Sequence, residues 1–370
     1  MKQIVIVSDA IAPWHVGGKE ERLRQLAADF RNEELELNFA TMKWWEGSAP
    51  TNHLALCKKY PLYTASGKRA TIQAIKFAFS CLKLFRVKAD LIEVDQIPFL
   101  QIYAVWLVAR IRRIPFTVTW HEVWGKEYWQ EYSPRIAAIA ALIERIAMML
   151  PDQIIAVSNL TADRLKEAGV RQSKITTIEA SLDVDNLSHF DTALPGHDLL
   201  FAGRLIEHKR VDVLIRAAEI VSKHHPKISF GIVGDGPERE SLERLSHSIG
   251  LSKNIIFHGE LPERSDVIGL MKKSRVFPSA SEREGFGLAV GEALALGMQV
   301  SVADHPDNAA VDFVINHPRG RVLEENTPDA HAEAILEMLD FEADHSVLSS
   351  SISHYRMSEQ YESLWKKLIK

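Results

Sequence analysis

The stretch of sequence that decides the fold is LSHFDTALPGHDLLFA, residues 187–202. Its first part is polar and contains Pro195-Gly196, a pair that interrupts helices and strands and is typical of a linker. Four apolar residues, 199–202, follow at once and have the length of a short buried strand. The stretch therefore predicts that a second folded unit begins here.

Short apolar runs alternate with longer helical patterns on both sides of this linker. The runs at 4–7 and 91–94 are predicted strands, whereas 20–30 has its apolar residues at helical spacing. Such alternation predicts a largely parallel sheet in each half. The other predicted strands are 35–39, 116–120, 154–157, 199–202, 228–233, 254–257 and 300–303, and the other predicted helices are 134–150, 211–223, 238–249 and 288–296.

With 370 residues, of which 46% are hydrophobic, the chain is too long for one ordinary core. We therefore predict an α/β protein with two Rossmann-like, doubly wound domains, at residues 1–190 and 191–352. The last residues, 353–370, have an amphipathic pattern and are predicted to form a helix that packs across both domains. Ligands of such folds bind beyond the carboxyl ends of the strands.

Charge and cysteine content exclude several classes of function. The net charge of −5 provides no basic excess for general binding of nucleic acid, so any phosphate site must be local. The two cysteines, Cys57 and Cys81, form no Cys-x-x-Cys pair and indicate neither a disulfide framework nor a thiolate metal site. The first apolar run ends at Ser8-Asp9 and lacks the pattern of a signal peptide. A cytoplasmic protein is expected.

The sequence predicts no transmembrane helix. Its longest apolar stretch, 97–109, contains Pro98 and Gln101 and is shorter than the roughly 18 residues that span a bilayer. Segment 72–88 mixes apolar and basic residues and has two interpretations. It is either a core-packed helix with solvated lysines or an interfacial helix that contacts an anionic membrane at the inner face of the cell membrane.

The most informative motif is SASEREGFGLAVGE, residues 279–292. Gly285 and Gly287 have no Cβ, so a ligand can come close to the backbone there. A buried helix is predicted to begin near Leu288, which leaves the amides of about 286–289 without helical partners. Such a helix start suits a phosphate or another anion.

Two carboxylates bracket this turn. Glu284 precedes the predicted helix, and Glu292 lies inside it, about two turns further on. The two side chains either grip two hydroxylated ends of one long ligand or are an ordinary turn glutamate and an ordinary helix-surface glutamate. The motif as a whole favours the first interpretation.

A pair of cations follows the predicted strand 199–202, in GRLIEHK, residues 203–209. Arg204 offers a planar guanidinium and Lys209 a point charge, and together they suit a diphosphate. Two cations in a loop are usually solvated side chains without a ligand. Their place at the end of a strand favours an anion site instead.

Two other glycine motifs are incomplete. Gly234 and Gly236 follow a predicted strand, but Arg239 stands where a dinucleotide-binding turn has its third glycine, so NAD binding is a weak hypothesis. Gly67-Lys68 precedes Arg69 rather than Ser or Thr, which excludes a P-loop.

Candidate site residues in the first half follow two predicted strands. Gly17-Gly18 links the first strand to the first helix and is either a simple turn or a space for a ligand. His121, just after strand 116–120, either hydrogen-bonds a sugar or phosphate or has a structural role. Gly125 breaks the His-Glu-x-x-His zinc pattern. Three tryptophans nearby either stack on a sugar or wedge between core elements: Trp120, Trp124 and Trp129.

Taken in order, these motifs resemble those of the retaining GT-B glycosyltransferases of family 4, and the resemblance covers nearly the whole chain. It implies two Rossmann-like domains that face each other across a cleft, with the C-terminal helix crossing back to the N-terminal domain. The N-terminal domain would bind the acceptor, and the C-terminal domain would bind a nucleotide sugar.

The resemblance also implies a role for each motif. Arg204 and Lys209 would neutralise the donor diphosphate, and His121 would contact the donor sugar. Glu284 would hydrogen-bond that sugar, and Glu292 would hold the ribose hydroxyls. The implied catalytic set is thus Arg204, Lys209, Glu284 and His121. The remaining substrate-binding residues are Gly17 and Gly18, which border the donor phosphate and the acceptor, and Gly285, Phe286, Gly287 and Leu288, which lie beside the sugar.

The implied reaction moves a hexose from a nucleotide-diphosphate sugar to a hydroxyl of a saccharide or lipid-linked acceptor, by same-face displacement. No metal and no cofactor besides the donor is expected, because the cations and the helix start stabilise the leaving diphosphate. A covalent intermediate on Glu284 is an alternative mechanism. The alternative functions are a nucleotide-sugar epimerase and a catalytically inactive GT-B binding partner.

Two stretches depart from the family pattern. Residues 180–183 are Ala-Ser-Leu-Asp where the family often has Asn-Gly, and residues 305–312 are His-Pro-Asp-Asn-Ala-Ala-Val-Asp where it often has Gly-Gly and a later Glu. The usual geometry of the donor-side loops and the identity of the donor therefore cannot be carried over from the family.

Overall fold

The computed structural model describes residues 1–15, 17–64, 69–182, 187, 189–341 and 357–369, which form two compact units. The first comprises Met1–Ser181 and Tyr355–Lys370, and the second comprises Leu182–His354. The sequence-based boundary followed residue 190 instead. Four stretches named above lie wholly or partly outside the described residues: Gly67-Lys68, the end of 180–183, residue 188 of 187–202, and both ends of 353–370.

The first unit is built on a seven-stranded sheet in which every neighbouring pair of strands is parallel. Its strand order is β3-β2-β1-β4-β5-β6-β7. Side chains alternate between the two faces of a strand, so Ile4 and Ile6 enter a different core cluster from Val5 and Val7. The strands are β1 Lys2–Val7, β2 Leu35–Lys43, β3 His53–Lys58, β4 Leu91–Asp95, β5 Phe116–Trp120, β6 Gln153–Ala156 and β7 Ile175–Thr177.

Helices cover both faces of this sheet. One core cluster joins the sheet to the first helix and to the C-terminal helix, and the other joins it to the helices that link the later strands. A 3-10 segment, Cys81–Arg86, extends the second helix. The helices are α1 Gly18–Asp29, α2 Thr71–Ser80, α3 Leu100–Arg112, α4 Gly125–Tyr132, α5 Ala137–Met149, α6 Asn159–Glu167 and the C-terminal helix Met357–Leu368.

The C-terminal helix belongs to the first unit because its buried side chains are held there by hydrogen bonds. Trp365 Nε1 donates to Glu93 Oε2 at 3.0 Å, and the Arg22 guanidinium donates to the Tyr361 hydroxyl. The Met357 amide donates to Ser181 Oγ at 2.8 Å. The predicted return of the chain to its N-terminal domain is confirmed.

The second unit has a six-stranded parallel sheet of order β10-β9-β8-β11-β13-β15 and a separate parallel pair, β12-β14. Its strands are β8 Leu199–Ala202, β9 Phe230–Val233, β10 Ile255–Gly259, β11 Val276–Ser279, β12 Arg283–Glu284, β13 Gln299–Ala303, β14 Asp307–Asn308 and β15 Gly320–Leu323. Its helices are α7 Val211–Ser222, α8 Arg239–Ser248, α9 Arg264–Lys273, α10 Leu288–Ala295, α11 Val311–Val314 and α12 Pro328–Leu339.

Both main sheets reverse their strand order at one point, between β1 and β4 in the first unit and between β8 and β11 in the second. Loops diverge at such a point and leave a crevice beyond the carboxyl ends of the strands. The predicted α/β class with two Rossmann-like, doubly wound units is confirmed. Residues that follow these four strands are therefore the ones to inspect for a site.

Among the helices that the structure describes, none has the length and apolarity needed to cross a membrane. Segment 72–88, for which the sequence allowed either core packing or a surface contact with a membrane, is helical over most of its length. That segment forms α2 and the 3-10 segment that follows it.

Candidate functional site

In the second unit, the loops after β8 and β11 are connected by a backbone hydrogen bond and an ion pair. The backbone amide of Glu282 donates to the His208 carbonyl at 2.8 Å. The neighbouring Arg210 guanidinium forms an ion pair with the Glu282 carboxylate. Because β8 and β11 are adjacent, these contacts bring together two motifs that are about 75 residues apart in sequence.

These contacts place Lys209 against Glu284. The Lys209 ammonium lies 2.5 Å from Glu284 Oε1, and each side chain is 17% exposed. A charge-assisted hydrogen bond of this kind fixes both groups at the mouth of the crevice. The sequence assigned Lys209 to a diphosphate and Glu284 to a sugar, and in the structure each is the partner of the other.

Three cations act together on His208. Burial lowers the pKa of His208, and the charges of Lys209, Arg283 and Arg204 lower it further, to about 3. The imidazole is therefore neutral at physiological pH. Arg204 and Lys209 were expected here, whereas Arg283 was not singled out although it lies inside the quoted motif.

The Gly-Phe-Gly turn has one position that only glycine fits. Gly287 has a φ of 85°, and a Cβ there would lie 2.5 Å from the Cβ of Ala310. Helix α10 begins at Leu288 directly after it. Phe286 packs edge-on against Phe313, with ring centroids 5.0 Å apart, and Gly285 is half-buried between Glu284 and this ring.

Glu292 lies inside α10, as the pattern predicts, but it is not a surface glutamate. Its carboxylate accepts a 2.6 Å hydrogen bond from the Arg264 guanidinium, and its side chain is 6% exposed. The residue assigned to ribose hydroxyls is thus held by an ion pair with α9. Arg264 is a site neighbour that the sequence did not indicate.

The stretch 305–312, which departs from the family pattern, supports the motif at residues 279–292. Strand β14 pairs with β12, and the Ala309 amide donates to the Glu284 carbonyl at 3.0 Å. The buried Asn308 side chain donates to the Ser281 and Ala303 carbonyls at 3.1 and 2.9 Å. The altered sequence therefore still anchors the backbone that carries Glu284.

The glycines of Val233-Gly234-Asp235-Gly236 have a packing role. A Cβ on Gly234 would lie 2.0 Å from the Gly203 carbonyl oxygen, and a Cβ on Gly236 would lie 2.3 Å from that of Leu205. Both glycines allow this loop to approach the 203–205 backbone. Close backbone packing thus accounts for the Gly-x-Gly spacing without a bound dinucleotide.

In the first unit, His121 is positioned by the end of the adjacent strand β4. Its Nε2 lies 3.2 Å from Asp95 Oδ1, and its backbone amide donates to Gln96 Oε1 at 2.8 Å. Burial alone would raise the pKa of Asp95, but the hydrogen bond from His121 and the charge of Lys19 hold it below its ordinary value. Asp95 is therefore an anion that orients the His121 ring.

A buried charge cluster continues from this pair toward β1. Lys19, on α1, lies 2.8 Å from Asp9 Oδ1 and 3.9 Å from Asp95 Oδ2. Arg69 lies 2.6 Å from the other oxygen of Asp9. Burial would raise the pKa of Asp9, but Arg69 and Lys19 lower it. The sequence offered one signal for Asp9 and Asp95, since each polar residue stands at the end of an apolar run.

Gly17 and Gly18 lie where they were predicted, at the start of α1. Gly17 is extended, with a φ of 176°, and a Cβ on it would lie 2.5 Å from Glu20 Oε2. Apart from its chain neighbours and the backbone of its own helix, no described atom lies within 4 Å of the position of a Cβ on Gly18. The fold of the described residues therefore leaves open space beside Gly18.

The three tryptophans near His121 differ in burial. Trp120 is fully buried and belongs to the core, as one of the two interpretations expected. Trp124 and Trp129 are half-buried, with ring centroids 4.7 Å apart. Glu144 accepts hydrogen bonds from the Trp124 amide at 2.8 Å and from Trp129 Nε1 at 2.9 Å. Of the three, Trp124 and Trp129 are the ones that are not fully buried.

Within the described ranges, no group of three or more His, Cys, Asp or Glu side chains is arranged to hold a metal ion. The candidate functional residues are cations, carboxylates and histidines in two separate sets, one in each unit. One set follows β8 and β11, and the other follows β1, β4 and β5.

Two family models match the chain in the order of its two units. The model described as Glycosyltransferase Family 4 matches residues 16–186, and the model described as Glycosyl transferases group 1 matches residues 190–352. Together they span most of the sequence.

Curated relatives are similar over part of their length. The putative colanic acid biosynthesis glycosyltransferase WcaL of Salmonella typhimurium is 27% identical over 243 residues, which are 64% of this chain and 57% of that one. An uncharacterized glycosyltransferase of Haemophilus influenzae is 28% identical over 133 residues, 36% of each chain. The matches thus span less than two thirds of these relatives.

A solved structure matches the whole chain. The crystal structure of HepE from Anabaena, in complex with UDP and glucose, has a TM-score of 0.74 at 17% identity and covers 100% of both chains. Identity this low supports the fold alone. The ordered pair of family models, the two doubly wound units and this match together show that the chain belongs to family 4 of the GT-B glycosyltransferases.

Proposed function

We propose that this protein transfers a hexose, with retention of configuration, from a nucleotide-diphosphate sugar to a hydroxyl of a saccharide or lipid-linked acceptor in the cytoplasm. The observation that carries the proposal is the Lys209–Glu284 ion pair near Arg204 and Arg283. A cation and a carboxylate placed together offer separate partners for a diphosphate and for sugar hydroxyls. Membership of the family supports the class of reaction.

The charge of this region suits a diphosphate. Three cations, Arg204, Lys209 and Arg283, surround a neutral His208. The carboxylate of Glu282, in the same pair of loops, is paired with Arg210. A bound diphosphate would replace Glu284 as the partner of Lys209. The freed Glu284 carboxylate would then accept hydrogen bonds from hydroxyls of the donor sugar.

In the proposed reaction, the bond between the anomeric carbon and the leaving phosphate oxygen breaks, and the acceptor oxygen bonds to the same face of the sugar. The acceptor proton passes to the departing diphosphate. Arg204 and Lys209 stabilise the charge that develops on that group, as a metal ion does in other enzymes. The proposal therefore requires no metal and no cofactor besides the donor.

The first unit is proposed to supply His121 to the donor sugar and the Gly17-Gly18 backbone to the donor phosphate and the acceptor. The Asp95 carboxylate fixes the orientation of the His121 ring by accepting from Nε2. Asp95 is thus a positioning residue in this proposal. The open space beside Gly18 is consistent with a ligand approaching the backbone there.

Glu292 is proposed to hold the ribose hydroxyls of the nucleotide. Its ion pair with Arg264 holds the carboxylate in one orientation within α10. The backbone amides of Gly287 and Leu288, at the start of the same helix, are proposed to lie beside the donor sugar and its phosphate.

A UDP-hexose is the first donor to test, because HepE of Anabaena has been solved with UDP-glucose. The test is a panel of UDP-, GDP- and ADP-hexoses, first in thermal-shift measurements and then in transfer to short saccharide acceptors. We expect one donor to raise the melting temperature. The anomeric configuration of the product, measured by NMR, should equal that of the donor.

Site variants sharpen this test. We expect Lys209→Ala and Glu284→Ala to abolish most turnover, whereas Lys253→Ala, an exposed lysine of the same unit, should leave it unchanged. Near-normal turnover in either site variant would overturn the assignment. An altered hexose produced from donor alone, without acceptor, would identify an epimerase instead.

A further inference from the structure

Exposed apolar side chains of this protein are concentrated on one part of the first unit. Of the 16 large hydrophobic side chains that are exposed in the described part of the chain, 11 lie on α2, the following 3-10 segment, α3 and α5, including residue 136 just before α5. We call this surface the basic apolar face. Its apolar members are Ile72, Ile75, Phe79, Phe85, Leu107, Ile111, Ile136, Ile139, Leu142, Ile146 and Met149.

Helix α5 exposes large aliphatic side chains where a helix at the surface of a soluble domain normally carries polar ones. Its buried positions hold Ala137, Ala140, Ala147, Met148 and the hydrogen-bonded Glu144. Its exposed side holds the five bulky residues from position 136 to position 149 named above, with exposures of 41% to 62%. A helix of a soluble domain normally buries the larger apolar side chains and exposes polar ones. The outward side of α5 is therefore unpartnered.

The helices of the basic apolar face lie side by side on one face of the sheet. Side chains of α2, α3 and α5 enter the same core cluster. The Tyr103 hydroxyl on α3 donates to the Ile143 carbonyl on α5 at 2.5 Å, and Arg112 on α3 donates to the Leu84 carbonyl at 2.7 Å. The exposed apolar side chains thus belong to one surface, and contiguous apolar surfaces of this kind mark interaction sites.

The same segments are strongly basic although the whole chain has a net charge of −5. Segments 71–88, 100–113 and 134–150 contain one acidic residue, Glu144, which is 1% exposed. Arg110 is paired with Asp152 at 3.0 Å, outside these segments. The basic residues are Lys76, Lys83, Arg86, Lys88, Arg110, Arg112, Arg113, Arg135 and Arg145.

We propose that the basic apolar face docks onto an anionic lipid bilayer, with the side chains of α2 and α5 inserted at the level of the headgroups. Apolar side chains enter the boundary of the acyl chains, while lysine and arginine side chains remain with the phosphates. Each basic residue close to such a surface contributes about tenfold or less to the affinity. A second copy of this chain is a poor occupant, because two basic surfaces would repel each other.

The proposal extends the sequence-based interpretation of 72–88 by adding α3 and α5. It is independent of the donor site, because no residue of the second unit takes part in it. A protein that binds lipid but transfers no sugar would support this inference and contradict the proposed function.

The test is flotation of the full chain with vesicles of phosphatidylcholine alone or mixed with phosphatidylglycerol. We expect the chain to float with the anionic vesicles only and to be released by salt, since exposed charges are screened. Absence of flotation with anionic vesicles, or equal flotation with neutral ones, would contradict the proposal.

Paired variants separate the apolar and the basic contribution. Ile139→Asp with Leu142→Asp should reduce binding about tenfold or more, and so should Lys76→Glu with Arg86→Glu. The matched controls in the second unit are Ile256→Asp with Ile315→Asp and Lys227→Glu with Lys253→Glu, all at exposed positions. Circular dichroism melts confirm that each variant is folded.

Two results would replace the lipid with another occupant. If the control pairs reduced lipid binding as much as the variants of the basic apolar face, that face would not be the lipid-binding surface. If sedimentation showed a dimer that the Ile139 and Leu142 changes dissociate, the face would be an interface between two copies of the chain.

Discussion

The sheets of the two units reverse their strand order in the same way, between β1 and β4 and between β8 and β11. The charged residues that follow these strands are nevertheless arranged differently in the two units. After β1 and β4, two buried carboxylates, Asp9 and Asp95, share the cation Lys19, and Arg69 is a second partner of Asp9. After β8 and β11, three cations surround the neutral His208, and Glu284 pairs with one of them. The fold therefore fixes where a site lies, while the side chains determine what it binds.

The difference teaches which charges support the structure. In the first unit the ionic groups are buried and mutually compensated, so removal of one leaves another buried charge unpaired. In the second unit Lys209 and Glu284 are each 17% exposed, and an anion is proposed to replace Glu284 there. The predictions below separate a structural cluster from a ligand site.

The largest effect is expected for Lys19→Met. This change leaves Asp9 and Asp95 without their shared cation, and breaking a buried ion pair costs about 3–5 kcal/mol. The free energy of unfolding, measured by urea titration of tryptophan fluorescence, checks it. All eight tryptophans lie in the first unit, so this signal reports that unit. A loss below about 1 kcal/mol would contradict the structural role of Lys19.

Lys209→Ala is expected to act on catalysis more than on stability. Loss of one group that stabilises developing negative charge costs about 3 kcal/mol of transition-state stabilisation, roughly a hundredfold in kcat/KM. The carboxylate that loses its partner, Glu284, is 17% exposed whereas Asp9 is fully buried, so the melting temperature should fall less than in Lys19→Met. Steady-state kinetics and calorimetry on the same variant check both statements. If Lys209→Ala lowered the stability but kept normal turnover per folded molecule, Lys209 would have a structural role and not a catalytic one.

Two glycines offer a smaller, matched comparison. Gly287→Ala places a side chain at a φ of 85° and within 2.5 Å of the Ala310 Cβ, so we expect a cost of about 2 kcal/mol. Gly18→Ala meets open space in a helix and should change the stability by less than about 1 kcal/mol. Calorimetric unfolding of the two variants beside the parent protein gives the difference. Equal losses would show that Gly287 is not strained by substitution.

The last two predictions concern pH, and they have opposite signs in the two units. Burial raises the pKa of Glu93 to about 7, so the folded first unit binds a proton that the unfolded chain has lost above about pH 4.5. Its stability should fall by about 1–3 kcal/mol as pH rises from about 4.5 to about 7. Glu93→Gln should remove this slope from the tryptophan-detected unfolding curve.

His208 should give the reverse slope in the second unit. Burial and the neighbouring cations lower its pKa to about 3 in the folded protein. Below about pH 6.5 the unfolded chain therefore binds a proton at this residue, whereas the folded chain does not. Stability is then lost as pH falls from about 6.5 to about 3. NMR titration of the His208 ring checks the cause. An imidazole that titrates near pH 6.5 in the folded protein would contradict it.

Much of the fold could be predicted from local patterns. The alternation of strands and helices, the start of α10 near Leu288 and the return of the C-terminal helix agree with the structure. Strand β11 was missed because it contains Pro278, and proline argues against a central strand. Yet β11 lies between β8 and β13, and the motif at residues 279–292 begins at its end.

Less of the candidate site could be predicted. Arg204, Lys209 and Glu284 were identified because charged residues follow apolar runs and stand beside glycines. Arg283 and Arg264 were missed, since their importance depends on neighbours that are distant in sequence: Arg283 acts on His208, and Arg264 holds Glu292. No local spacing contains that information.

The sequence by itself thus determined the class of fold, the two-unit plan and the family, because each depends on residue order and periodicity over short stretches. Only the tertiary structure decided which charges meet, since strand order places His208 beside Glu282 and Lys19 beside Asp95. It also decided which side of α5 faces outward. Both sides of that helix are apolar, so periodicity alone cannot tell the buried side from the exposed one.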